Sequence, residues 1–285
     1  MKKGFNSRPC YLYLREFNQL DFATLSHFDV TDELSEAEMH LYSRQILLDG
    51  WDMDAQEKLK LSNVLIVGCG GIGCTTAELL ARAGIGQITL IDPDTIEMSN
   101  LQRQIGFTAQ DIGFYKADIL AKRLYQINPH IEVDLYIDHL TQDNAASLIS
   151  AQDLVLDGCD NFATRYLVNQ NCKKLNVALI SASAIGFTGQ LLMVEGDSAC
   201  YECLFPQSDS SEQQNCAESG VLATTPSIMA SLQAHHALLY LGLQQMPLRE
   251  KLLIWDGLTM KQRILAFETA TDCPICQARP PANDV

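Results

Sequence analysis

Residues 64–80 read VLIVGCGGIGCTTAELL: an apolar run, a cluster of glycines, then apolar residues at helical spacing. No other stretch limits the fold of this chain as tightly. The first part has the length and branched side chains of a strand buried on both faces, and the last part suits a helix. Gly68, Gly70 and Gly73 stand at G-x-G-x-x-G spacing between them. Glycines permit the tight strand-to-helix turn, and its backbone N–H groups with the helix N-terminus can cradle phosphate oxygens. QITLID (87–92) follows as a second strand and completes a β-α-β unit. It ends on Asp92, where a carboxylate can accept hydrogen bonds from ribose hydroxyls.

The same rhythm continues downstream. The pattern predicts a helix over YKADILAKRLYQI, a strand at EVDLYI (132–137), a helix near 143–150 and a strand at DLVLDG (153–158). A helix over 161–175 and a strand at VALISA (177–182) come next. This alternation implies a Rossmann-like, doubly wound α/β fold with a mostly parallel sheet covered on both faces. GQLLMVEG, LLIWDG and KQRILAF then extend the sheet, with antiparallel strands expected. Between them lie a polar loop (206–220) and a long helix, roughly 225–242. Upstream, Ser35-Glu36-Ala37-Glu38 is a capping-box pattern that opens a helical run through MHLYSRQILL. Residues 1–34 show no period and form an N-terminal extension of unknown role.

The chain has 285 residues, a formal charge of −15 and ten cysteines. The acidity argues against a broad nucleic-acid surface, so an anionic ligand must be met by a few well-placed cations. No apolar stretch is long enough for a membrane span, and MKKGFNSRPCYLYLREF lacks the apolar centre of a secretory leader. A cytoplasmic location is therefore expected, where cysteines serve metals or thiol chemistry more often than disulfides. Cys200-Tyr-Glu-Cys203 and Cys273-Pro-Ile-Cys276 form two C-x-x-C pairs. Together they predict a closed four-cysteine zinc site, structural because four filled positions leave none for water or substrate. Cys69 and Cys74, beside the glycine turn, are read as packing residues, and His235-His236 as structural.

The glycines and Asp92 do not separate NAD or FAD from ATP. SNLQRQIGF (99–107) adds Asn100 and Arg103, Lys116 follows on the next helix, and Arg44 lies upstream in YSRQILL. Three cations and an amide suit a compact triphosphate better than a pyrophosphate bridging two nucleosides.

In order, YSRQILL, VLIVGCGGIG, LIDPD, SNLQRQ, GFYK, LDGCDN, CYEC and CPIC resemble the ThiF/MoeB family, bacterial relatives of ubiquitin-activating enzymes. The resemblance runs from about Leu41 to Cys276. It implies an adenylating domain over 35–285, with a nucleotide-binding half at about 60–185 and a carrier-binding and zinc half at about 186–276. It places ATP against Gly71 and the surrounding glycine turn, with Asp92 on the ribose. Ser99, Asn100, Leu101, Gln102 and Arg103 would line the nucleotide site, and Lys116 would reach the phosphates. Asp160 and Asn161 match the family's D-x-x-D-N segment, whose second Asp serves Mg²⁺; the plainer reading of Asp160 is a helix N-cap. Arg44 matches an arginine that reaches into a partner subunit's site, which implies a homodimer.

The reaction that the resemblance implies is adenylation of the C-terminal glycine of a small ubiquitin-like sulfur carrier. The glycine carboxylate attacks the α-phosphorus of ATP and pyrophosphate leaves. An α-carboxyl with a pKa of about 3.3–3.7 is already ionised at neutral pH, so no general base is needed. This chain ends in PPANDV, so the Gly-Gly carrier is expected to be another protein, with a sulfurtransferase supplying the sulfur. ISASAIGFTGQLLMV and CLFPQSDSSEQQNCAESGV look closer to the thiamine-pathway branch than to the molybdenum-cofactor branch. In that branch the cysteine matching Cys216 takes part in sulfur transfer or linkage to the carrier; an incidental free cysteine is the competing reading. The other readings are MoeB-like carrier adenylation, a relative that activates a tRNA carboxyl, an NAD or FAD oxidoreductase, and a non-catalytic carrier-binding scaffold.

Overall fold

The computed structural model describes residues 33–207 and 220–277. Its frame is an eight-stranded sheet in the order β3-β2-β1-β4-β5-β6-β7-β8. β1 (Asn63–Val67), β2 (Gln87–Ile91), β3 (Glu132–Tyr136), β4 (Leu154–Asp157) and β5 (Ala178–Ile185) run parallel. β6 (Thr188–Val194), β7 (Lys251–Asp256) and β8 (Lys261–Ala266) add antiparallel neighbours, so the sheet passes unbroken from one half of the chain to the other.

β1 shows why the sheet must be covered twice. Successive strand residues point to opposite faces. Val64 and Ile66 enter one core with Leu80, Leu120 and Leu124 of α4 (Gly73–Ala83) and α5 (Lys116–Ile127), and with Met229 and Ala230 of α9 (Thr224–Leu243). Leu65 and Val67 enter the other, with Leu148 of α6 (Ala145–Ile149) and Tyr166, Val168 and Cys172 of α7 (Phe162–Leu175). A strand read as a continuous apolar run is thus buried on both sides. β8 lies at the sheet's edge and every residue of it is exposed.

The N-terminal helical run differs from the expectation. The capping box forms, with Ser35 and Glu38 exchanging bonds, but the helix stops at Tyr42 instead of continuing through YSRQILL. α1 (Glu36–Leu41) and α2 (Ser43–Ile46) are separate helices, and α3 (Asp52–Lys60) follows. Tyr42 is the reason for the break: it is buried, and Asn128 Nδ2 donates to its hydroxyl at 2.7 Å. Only Ala55, Gln56 and Leu59 of α3 are buried, too few apolar positions for its period to stand out in the sequence. Two further short helices, α8 (Tyr201–Leu204) and α10 (Pro274–Gln277), carry the C-x-x-C pairs. Among the described residues no helix is long and apolar enough to cross a membrane. Cys216 and most of the polar loop lie outside the described residues, as do residues 1–32.

Candidate active site

β2 and β4 flank β1: the chain runs from β1 to β2 and β3 on one side and then crosses over to β4 and β5 on the other. A crevice opens at the carboxyl ends of strands where the order reverses, which is where open α/β sheets take ligands. The glycine turn sits at that point. Gly68 has a φ of +88°, and a Cβ on Gly73 would lie 1.7 Å from the Gly68 carbonyl oxygen. The first position requires a left-handed backbone and the second a close helix–strand approach, so both exclude side chains. A Cβ on Gly71 would meet Pro226 Cβ at 3.0 Å and the Arg103 carbonyl oxygen at 3.4 Å. The glycine turn is therefore closed over by the start of α9 and by the segment after β2.

Asp92 is buried at the end of β2, and Cys69 N of the glycine turn donates to its Oδ2 at 2.7 Å. Asp94 N donates to its Oδ1 at 2.8 Å. Burial pushes the Asp92 carboxyl up from its usual range, against the pull of Lys116 and of these two N–H groups. Lys116, the first residue of α5, is buried to 7% exposure, and its Nζ donates to the exposed Asp94 carboxylate at 2.7 Å.

The segment after β2 turns through a short 3₁₀ helix (Met98–Asn100). Asn100 is buried and its side chain accepts from Glu97 N at 3.1 Å, which holds the turn. Ser99 Oγ donates to Glu97 Oε2 at 3.3 Å, and Arg103 Nη1 donates to the Ser99 carbonyl at 3.0 Å. Gln102 is exposed and Leu101 half-buried. Gln104, which sequence reasoning passed over, is buried beside Gly70, and its Oε1 has no hydrogen-bond partner. Its signal was only the last letter of SNLQRQ.

The turn after β4 completes the crevice. A Cβ on Gly68 would meet Cys159 N at 3.3 Å, so this turn touches the glycine turn directly. Asp157, fully buried, accepts from Arg165 Nε at 3.0 Å, Ser181 Oγ at 2.6 Å and Cys159 N at 3.0 Å. Burial opposes the charge on Arg165, but the Asp157 carboxylate more than restores it and holds the guanidinium above its usual pKa. Asp160 is exposed on this turn. The helix cap is Asn161, whose Oδ1 accepts from Thr164 N at 2.9 Å. The alternative of Asp160 as the cap is thereby corrected; one residue further along, the backbone places a side chain over the free N–H groups of α7. Gln233 of α9 ties the arrangement from behind, donating to the Asp157 and Ile180 carbonyls at 2.9 Å each.

Arg44 is exposed on α2, and among the described residues no hydrogen bond or ion pair joins it to the crevice. Cys69 and Cys74 are fully buried and burial pushes both thiols up, in keeping with packing roles. His236 is buried on α9.

At the far end, Cys200, Cys203, Cys273 and Cys276 converge, their sulfurs all within 4.8 Å of one another. Cys200 Sγ lies 3.8 Å from Cys203 Sγ and 3.6 Å from Cys273 Sγ, and Cys203 Sγ lies 3.5 Å from Cys276 Sγ. These separations are too long for disulfides, whose S–S length is about 2.05 Å. They match the edge of a tetrahedron with metal–sulfur bonds of about 2.3 Å, roughly 3.8 Å. The donor set and its spacing fit zinc.

The family model described as "ThiF family" matches residues 42–275, most of the chain, with the crevice and three of the four clustered cysteines. The chain belongs to the ThiF family. It is 41% identical to the sulfur carrier protein ThiS adenylyltransferase of Escherichia coli K12, over 85% of this chain and 97% of that protein. It is 36% identical to a sulfur carrier protein adenylyltransferase of Thermus thermophilus, over 88% and 95%. It is 39% identical to the molybdopterin-synthase adenylyltransferase of E. coli K12, over 86% and 98%. Among solved structures, E. coli MccB with ATP superposes at a TM-score of 0.72 with 26% identity, over 85% of this chain and 75% of that one. Membership of this family takes away the oxidoreductase alternative that the glycines alone had left open.

Proposed function

We propose that this ThiF-family chain is an ATP-dependent adenylyltransferase that activates the C-terminal glycine of a small ubiquitin-like sulfur carrier of the thiamine-thiazole branch. The observation that carries the reading is Lys116: a buried ammonium at the crevice whose hydrogen-bond partner is an exposed carboxylate, Asp94. An incoming phosphate can replace that partner without leaving a buried charge unpaired.

In this reading the glycine turn holds the phosphates, and Asp92 accepts the ribose hydroxyls on lone pairs left beside its two backbone N–H bonds. Arg103 swings from the Ser99 carbonyl to join Lys116 on the phosphates. Asp160, exposed at the mouth, supplies one carboxylate to Mg²⁺, which commonly uses one or two carboxylates together with substrate phosphates; the ion would neutralise charge on the leaving pyrophosphate. The carrier's carboxylate needs no base, so these residues orient two anions and offset their repulsion. Arg44 completes the site of a second copy in a homodimer, and Cys216 takes part in the later sulfur step, for which a sulfurtransferase is the donor. The four-cysteine cluster holds a structural zinc that fastens residues 273–276 to the segment after β6. The adenylating unit spans 35–285.

Support for the thiazole branch is the 41% identity to the ThiS enzyme beside 39% to the molybdopterin-synthase enzyme, together with the sequence segments at residues 180–194 and 203–221. The test is ATP–pyrophosphate exchange with purified carriers. Exchange stimulated by a ThiS-type carrier is expected. Stimulation only by a molybdopterin-type carrier would move the chain to the other branch. Carrier binding without exchange would make it a scaffold.

A further inference from the structure

α7 carries three charged or amide side chains into the protein interior at four-residue intervals: Arg165, Asn169 and Lys173, all buried. Residues four apart share one helix face, and the inward face of a surface helix is ordinarily apolar. Each polar group there needs a partner. Arg165 has Asp157. The other two lie on the cysteine side of the helix.

Asn169 Oδ1 accepts from Tyr201 N at 3.0 Å, which fixes the backbone next to Cys200. Its Nδ2 is buried with no hydrogen-bond partner, on an amide whose oxygen is held at the residue that follows Cys200. A buried donor without an acceptor is costly, and the large majority in folded proteins find one. Lys173 Nζ donates to the carbonyls of Gly196 at 2.5 Å and Ser198 at 2.6 Å, on the loop that enters Cys200. Four thiolates around a divalent ion carry a net charge of −2, so a buried ammonium close by offsets a charge that the interior would otherwise oppose.

We propose that Asn169 and Lys173 are the outer shell of a metal site at the four cysteines: Asn169 Nδ2 donates to the Cys200 thiolate, and Lys173 fixes the entry loop and balances the site's negative charge. This rests on the four-cysteine metal reading above. The two residues act through the ligands and are positioning residues.

Metal titration of the full chain tests it, with cobalt(II) as a spectroscopic probe and zinc(II) in competition with a chelating dye. Asn169→Asp keeps the acceptor for Tyr201 N and replaces the donor by a second acceptor beside sulfur. Lys173→Met removes the charge, Lys173→Arg returns it, and Lys174→Met removes an exposed charge from the same helix. Outer-shell partners typically change affinity 10–100-fold. Asn169→Asp and Lys173→Met are expected to bind both metals about 10–100-fold more weakly, with the sulfur-to-cobalt absorption shifted in Asn169→Asp. Lys173→Arg is expected to regain most of the affinity, and Lys174→Met to match the unaltered protein. If Asn169→Asp yields no folded protein, Asn169→Ser removes the amide without adding charge and is expected to weaken binding in the same direction. Unaltered affinity and spectrum in the Asn169 variant obtained, or equal losses in Lys173→Met and Lys174→Met, would overturn the proposal. An unaltered chain that takes up no cobalt would instead remove the four-cysteine metal reading beneath it.

Discussion

The nucleotide crevice and the cysteine knuckle both lean on α7, yet they hold their polar groups in opposite ways. In the crevice, Lys116 is bound to an exposed carboxylate and Arg103 to a carbonyl of its own turn. In the proposed function each of these bonds is exchanged for a phosphate, which leaves no buried group stranded. At the knuckle, the cysteines close on one another, Lys173 grips two carbonyls, and Tyr201 packs edge-on against Tyr166 with ring centroids 5.6 Å apart. Nothing there is arranged to be swapped. Between them the Asp157–Arg165 pair belongs to the fixed kind although it borders the crevice, since Arg165 also donates to the Cys159 and Ala182 carbonyls. A ligand that comes and goes needs replaceable partners, whereas a structural ion needs a closed shell.

The largest expected effect lies at the knuckle. Structural zinc contributes roughly 10 kcal/mol or more to apparent folding free energy in small domains. Stripping metal from the full chain with a mercurial and a chelator is expected to lower the thermal midpoint sharply and expose residues 273–277 to protease. An unchanged midpoint would mean that the site is not structural.

Arg165→Met comes next. Breaking a buried ion pair from one side leaves the other charge stranded and costs about 3–5 kcal/mol, read as a fall in denaturant midpoint. Lys116→Ala and Arg103→Ala are expected to lower pyrophosphate exchange by about 2–4 kcal/mol, roughly 30- to 1000-fold, with a smaller loss of stability. If Lys116→Ala destabilised the fold as much as Arg165→Met, the division into exchangeable and fixed groups would fail.

His236, on α9 and outside both regions, serves as the reference. Burial first, and the neighbouring His235 second, push its pKa down to about 4 from 6.5. The unfolded chain therefore takes up a proton below about pH 6.5 that the folded chain refuses until about pH 4. Stability rises with pH across that window, by at most about 3.4 kcal/mol. His236→Leu is expected to flatten this slope in denaturant titrations at pH 4.5 and 7, and an unaltered slope would assign the dependence to other groups.

Much of this molecule was legible as sequence. Strands β1 to β5 and the helices between them followed from apolar runs and their period, and the two C-x-x-C pairs announced their meeting. The crevice was legible only in outline. Arg165 is an unremarkable arginine on a helix until β4 brings Asp157 beneath it, and Asp94 reads as a surface carboxylate until Lys116 turns back to it. The break at Tyr42 escaped because it depends on Asn128, 86 positions away.

By itself the sequence determined the alternation of strands and helices, the glycine turn and the positions of four paired thiols, because periodicity and backbone permissiveness are local properties. Only the tertiary structure decided which charges are exchangeable and which are locked. That distinction depends on burial and on partners drawn from distant strands, and no local pattern records either.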